Sequence, residues 1–191
     1  MKLRTLKKWV AALAGVFMLI IGGMLPTAIF IPSLAIPPKI AELPSSMQIP
    51  ALLICAYTCG PSSGVIATAA YLVIGLFYLP VFHGGGSIGY LLTPDIGYLI
   101  GFIPAVWVAG KLFERKEKHS IIELTVYSFV GLFIIHSIGI TNIIIGSLTN
   151  RWIISPMELI YTYSISPLPV QLLLSPGIAL IAKFSRAILL T

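Results

Sequence analysis

The chain has 191 residues, of which 58% are hydrophobic and 9% charged; soluble domains carry roughly 25% charged residues, so a water-soluble globular class is excluded. A mean hydropathy of +1.01 places most of the chain in lipid. The net charge of +6 does not indicate nucleic acid, because the basic residues punctuate apolar runs instead of forming one basic face.

The chain opens MKLRTLKKWVAALAGVFMLIIGGML, a basic end followed by an apolar run. A secretory signal would start this way, but similar apolar segments continue to the end, so a first transmembrane helix is the better reading. A crossing needs about 20 apolar residues. Candidate spans fall at 9–31, 47–59, 62–81, 96–113, 121–148 and 168–190, the second of them short. CGPSSG, at 59–64, supplies the turn between the second and third. The expected fold is all-α: a polytopic membrane protein with six transmembrane helices, forming a single integral-membrane domain over 1–191.

Basic residues orient these spans. With a cytoplasmic N-terminus, Lys2, Arg4, Lys7, Lys8, Lys111, Arg115, Lys116, Lys118, Lys183 and Arg186 all lie inside. Only Lys39 and Arg151 fall outside. That bias follows the positive-inside rule and supports an even number of spans with both termini cytoplasmic. The longer, weakly charged connections at 32–46, around Gly84–Gly86 and at 149–166 then share the outer face. Long connections tend to carry function, so a ligand is expected there.

Small residues recur every fourth position at Gly97, Gly101, Ala105 and Ala109, and more briefly at Ala11 and Gly15. Such stripes let another backbone approach closely. They serve internal packing or the docking of another membrane subunit. Cys55 and Cys59, without a nearby histidine, read as packing residues and not a metal site.

Chemistry-bearing motifs are sparse. GGSIG, at 85–89, formally matches G-x-S-x-G around Ser87, with His83 or His136 as conceivable bases for an intramembrane serine hydrolase. That motif needs a strand-to-helix turn, and no strand is expected at this point. His83, His119 and His136 have no metal-ligand spacing, and a P-loop is absent, so no metal, cofactor or ATP hydrolysis is expected. The triple glycine is better explained as backbone that approaches a ligand and donates N–H groups. Gln48, Gln171 and Asn142 are polar groups at a shared outer depth. Amides donate and accept at once, which suits a urea-like or amide-like ligand. Lys39 and Arg151 are the candidate partners for an anionic group. Tyr90, Tyr98, Trp152, Tyr161 and Tyr163 are expected as interfacial anchors, some of them walling a pocket.

Three stretches together resemble the BioY family of biotin-specific, substrate-capturing subunits of energy-coupling-factor transporters. They are LPSSMQIPALL, with Pro44 and Gln48; GPSSG, beginning at Gly60; and YLVIGLFYLPVFHGGGSIGYLLTPDIGYLIGF, from Tyr71 to Phe102. The last is similar to the family's G-L-P-V-F-x-G-G-G segment and its L-L-x-P-x-x-G-Y-L-x-G-F continuation. The resemblance is strongest over 44–102. It implies a six-helix bundle in a bacterial plasma membrane, holding biotin near the outer surface beneath the first and third outer loops. Gln48 matches the family's binding glutamine, and Gly84, Gly85, Gly86 and Ser87 its glycine-rich lid. The implied partners are a membrane scaffold subunit and two ATPase subunits, with the first helix, at Ala11 and Gly15, as the implied contact.

The last helix departs from the family's P-G-D-x-x-K. Here the stretch reads PLPVQLLLSPGIALIAK. Aligned on Pro169, Gln171 takes the Asp position and Leu174 the Lys position. Aligned on Pro176 and Gly177, Ile178 and Ile181 do. The first register keeps a polar group for a ureido ring. A basic residue sometimes found in the glycine loop is also missing, which leaves open both the carboxylate partner and a related ligand, in a subunit or facilitator for another vitamin-like solute.

Overall fold

The computed structural model describes residues 2–31 and 39–189. It is mainly helical, with one small sheet. Helix α1 (Lys2–Met24) leads into an antiparallel pair, β1 (Pro26–Ile31) and β2 (Lys39–Ser46). Helices α2 (Gln48–Phe77), α3 (Ile96–Glu114) and α4 (Ile121–Leu148) follow, with a 3₁₀ turn (Ile88–Leu92) before α3. A short α5 (Pro156–Ile160) and a π turn (Tyr161–Ile165) precede α6 (Leu168–Leu189). Among the described residues, five helical stretches are long and apolar enough to cross a membrane: 5–24, 48–77, 96–114, 121–148 and 156–185.

Two expectations change. The first helix does not run to Ile31. It stops at Met24, because Pro26 lacks a backbone donor and biases its predecessor away from helix. The residues after it pair as a strand, with Ile29 opposite Ala41 and Ile31 opposite Lys39. The fold is therefore not purely α, although residues 32–38 of the first outer loop lie outside the described residues.

The second change concerns α2, which is continuous in name only. Gly60 adopts φ 78° and ψ 167°, outside the helical region, and Pro61 starts the second arm. Gln48 and Tyr71 are 23 residues apart yet share a hydrogen bond of 2.8 Å. In a straight helix they would be about 34 Å apart. The arms 48–59 and 61–77 thus fold back on each other, as the expected CGPSSG turn requires.

Small residues bring the helices together. A methyl group at Gly15 would lie 2.7 Å from Cys55 Sγ and 2.8 Å from Ala67 Cβ. One at Gly101 would lie 3.1 Å from Ile135 Cα, and one at Gly110 2.9 Å from Pro61 Cα. Ala105 and Ala109 are fully buried. The stripe on α3 therefore packs inside the bundle, against α4 and α2. Helix α4 starts at a capping box, with Glu123 N–H donating to Ser120 Oγ at 3.1 Å and Ser120 N–H to Glu123 Oε2 at 3.0 Å.

These packings sort the molecule into two ends. Gly60 approaches the carboxylate of Glu114, so the α2 reversal sits beside the C-terminus of α3 and its basic connection. The start of α2, the start of α3 and the start of α6 gather at the opposite end.

Candidate functional site

At that opposite end is a cavity of about 450 Å³, within the range of small-molecule sites. Pro44, Ser45 and Ser46 of β2 form one rim, continuous with Gln48 and Ile49 on the first turn of α2. His83 and Gly84 form another. Tyr98, Leu99 and Phe102 supply the α3 wall, and His136 reaches in from the middle of α4. Thr162 and Tyr163 of the π turn and Gln171 of α6 complete it. The π turn is closed by Ser166 N–H donating to Tyr161 O at 2.8 Å, a local irregularity frequent at functional sites.

Both glutamines are buried, and each has one end of its amide engaged by protein. Gln48 Nε2 donates to the Tyr71 hydroxyl at 2.8 Å, which itself donates to Val81 O at 3.0 Å. Its carbonyl oxygen remains for the cavity. On the far side, Gln171 Oε1 is paired with His136 Nε2 at 2.8 Å. His136 Nδ1 meets Ser164 Oγ at 3.0 Å, and Ser164 Oγ meets the Tyr98 hydroxyl at 2.6 Å. Gln171 therefore presents its nitrogen to the cavity. One amide acts as acceptor, the other as donor.

Among the described residues, no lysine or arginine lines the cavity. Its carboxylate, Asp95, accepts from the Tyr90 hydroxyl. Burial, and then that carboxylate, hold the Tyr90 phenol well above its usual pKa, so it stays a donor. Tyr90 also packs on Phe82, centroids 4.9 Å apart, and Phe82 on Tyr71 at 5.4 Å. A chain of tilted and edge-to-face ring contacts thus joins the glycine loop to the Gln48 anchor.

The three glycines have three different jobs. Gly84 lines the cavity. Gly85 does not: its N–H donates to Phe82 O at 2.9 Å, and Phe82 N–H to its carbonyl at 2.7 Å. This tight turn needs φ +115° at Gly85, with open space around the α-carbon. Gly86 is needed for close packing, since a methyl there would lie 2.6 Å from Gly75 O and 2.7 Å from Pro80 Cα. The expectation that the whole run donates amides to a ligand gives way at Gly85, whose donor is engaged within the loop. Ser87 is exposed, facing a separate groove with Gly86. His136 is bonded to Ser164 and Gln171 instead of Ser87, so the hydrolase arrangement lacks its base there.

The cavity brings together Gln48, Gly84, Tyr90 and Gln171 of the expected site residues. Asn142 is elsewhere, donating to Pro94 O at 2.9 Å and bracing the entry to α3. Arg151 donates to Leu91 O and lies over the Trp152 ring, 4.8 Å from its centroid. Lys39 begins β2, and its side chain lies outside the described residues. Ala11 is half-buried, and Gly15 faces α2, so the expected docking face on α1 turns inward at Gly15. Ser164 and Tyr71 escaped the sequence reading as site residues, and His136 entered it only as a conceivable hydrolase base. Their side-chain partners are 23 to 66 residues away, and no local spacing signals such pairs.

The BioY family profile matches residues 1–189. Among curated relatives, a "Probable biotin transporter BioY" of Lysinibacillus sphaericus is 33% identical over 111 residues, 58% of this chain and 56% of that one. An uncharacterised 21.2 kDa protein of Cyanophora paradoxa is 32% identical over 75% of this chain and 74% of its own. The "Biotin transporter BioY" of Thermotoga maritima is 33% identical over 60% of this chain and 67% of its own. The matched region thus spans little more than half of the first of these relatives. The crystal structure of the S-component for biotin from an ECF-type ABC transporter superposes with a TM-score of 0.63 and 21% identity, covering 98% of this chain and 91% of that one; at that identity the likeness is one of fold.

Proposed function

The chain belongs to the BioY family, and from that premise we propose that it captures biotin at the outer face of a membrane and delivers it inward. The single observation that carries this reading is the pair of amides across the cavity. Gln48 offers a carbonyl and Gln171 an amide nitrogen. A ureido ring is their complement: its N–H donates to Gln48 Oε1 and its carbonyl accepts from Gln171 Nε2. The preferred alignment on Pro169 gives Gln171 the same place.

The apolar and aromatic walls at Leu99, Phe102 and Tyr163 suit the thiophane ring and the aliphatic tail. His83, at the rim beside Gly84, is the basic side chain best located to meet the tail's carboxylate. This assigns to His83 the part expected of Lys39 or Arg151.

The two arms of α2 count as separate crossings, giving six spans with both termini cytoplasmic. The support is the reversal at Gly60 and the basic connection after α3, both at the end remote from the cavity. The cavity then opens outward. With no P-loop in the sequence, concentrative uptake would draw on a scaffold subunit and two ATPase subunits in a bacterial plasma membrane.

Thermal unfolding of the purified protein with a panel of vitamins tests the ligand. Biotin should raise the Tm in a concentration-dependent way. Stabilisation by another vitamin, with none by biotin, would transfer the reading to that solute.

A further inference from the structure

Gln171 could recognise a ligand in either of two senses, because an amide can turn over and exchange its oxygen for its nitrogen. Something must choose. The choice is made by the buried chain Tyr98–Ser164–His136–Gln171, all four of whose side chains are less than a tenth exposed.

Consider the protons along it. The Tyr98 hydroxyl has its hydrogen-bond partner in Ser164 at 2.6 Å, and with its proton placed there Ser164 Oγ is the acceptor. Ser164 then donates to His136 Nδ1 at 3.0 Å. A neutral imidazole that accepts at Nδ1 carries its hydrogen at Nε2. That N–H, whose nitrogen is 2.8 Å from Gln171 Oε1, demands an oxygen. With Tyr98 as the donor at the head of the chain, Gln171 points Oε1 at the histidine, as the structure has it, and its NH₂ at the cavity. Reversing the amide would set two donors against each other in a buried site. The residues come from three elements: α3, the π turn and α4, converging on α6.

We propose that His136, fixed in its Nε2–H tautomer by Ser164 and Tyr98, is a positioning residue that orients the Gln171 amide and so selects ligands presenting a hydrogen-bond acceptor to it. The inference rests on the ureido reading above. It makes the site discriminate at one atom of the ligand, between a carbonyl oxygen and a donor in the same place.

2-Iminobiotin, which carries a protonated imino nitrogen where biotin has its carbonyl oxygen, is the probe. The unmodified protein should bind biotin more tightly by about 10–100-fold, for one opposed donor pair. In His136→Leu the amide is free to turn, and that ratio should fall towards one. His136→Gln, which restores an amide donor, should recover most of it. Ser164→Ala removes the group that fixes the tautomer and should lower the ratio with less disturbance to packing. An unchanged ratio in folded His136→Leu or Ser164→Ala overturns the proposal, since a merely structural residue would weaken both ligands alike. Imidazole ¹⁵N spectra of the unliganded protein give a reading independent of biotin. His136, assigned by its loss in His136→Leu, should show the Nε2–H tautomer, and Ser164→Ala a mixture. A Nδ1–H tautomer in the unmodified protein overturns the proposal whichever ligand binds. Failure of the unmodified protein to bind biotin, with the Nε2–H tautomer present, would count against the ligand assignment and leave the orientation of Gln171 supported.

Discussion

Replacing Gln48 by alanine removes an acceptor from the cavity and a donor from Tyr71. These losses are separable. Tyr71, fully buried, keeps its own donation to Val81 O at 3.0 Å, so folding loses the net worth of one hydrogen bond, about 1 kcal/mol. Binding loses more. A ligand N–H that met Gln48 Oε1 would be buried without a partner, at a cost of about 1–3 kcal/mol. That corresponds to a dissociation constant raised roughly 5- to 150-fold. Tyr71→Phe provides the comparison. It leaves Gln48 Oε1 in place and removes the hydroxyl that steadies the amide and donates to Val81 O, so folding loses that second bond as well, while the effect on affinity should be smaller than for Gln48→Ala, about 1 kcal/mol. Calorimetric titration of biotin into each purified variant, with thermal unfolding as the control for folding, measures both. Unchanged affinity in a folded Gln48→Ala protein would refute the assignment of Gln48 as acceptor. Equal losses in the two variants would transfer the role to Tyr71 and its packing.

Other expectations follow from the same geometry. His83→Ala should weaken biotin by about 1 kcal/mol or less, the worth of one exposed polar contact, and leave biotinamide unaffected; titration of both ligands checks this. Gly85→Ala meets only backbone strain from φ +115°, on the order of 1–3 kcal/mol. Gly86→Ala also collides with the backbone of Gly75 and Pro80, and should lower both Tm and affinity further. Gly15→Val should cost about 1–3 kcal/mol of stability in the isolated protein through overpacking against Cys55 and Ala67. An unaltered Tm would restore the view of Gly15 as a docking surface.

Much of the fold is legible in the sequence, because lipid imposes a simple rule. Long apolar runs become helices, and α3 and α4 begin and end close to where hydropathy puts them. The reversal at Gly60 is equally legible, since a Gly-Pro pair has few alternatives. The hairpin of β1 and β2 is not, because Ala28, Ile29 and Phe30 are as apolar as the helix before them. Only Pro26 marks the change. Within the site, Gln48 and Gln171 stand out as costly polar groups in apolar surroundings. The role of His136 does not, because its meaning depends on Ser164 and Gln171, 28 and 35 residues away. The glycine run shows the converse problem. One motif of identical residues serves cavity lining at Gly84, backbone torsion at Gly85 and clearance at Gly86, and composition alone cannot divide those labours.

Helix α1 bears large apolar side chains outward, among them Trp9, Leu13, Phe17 and Ile21, yet its C-terminal end is seated without slack. A methyl group at Gly22 would touch Met47 O, one at Gly23 the Tyr71 hydroxyl, and Met47 N–H is bonded to Leu25 O at 2.9 Å. Met47 precedes Gln48, and Tyr71 holds it. A helix whose outward face is almost wholly apolar is thereby seated, at this one end, directly against the two residues that flank and hold the Gln48 amide.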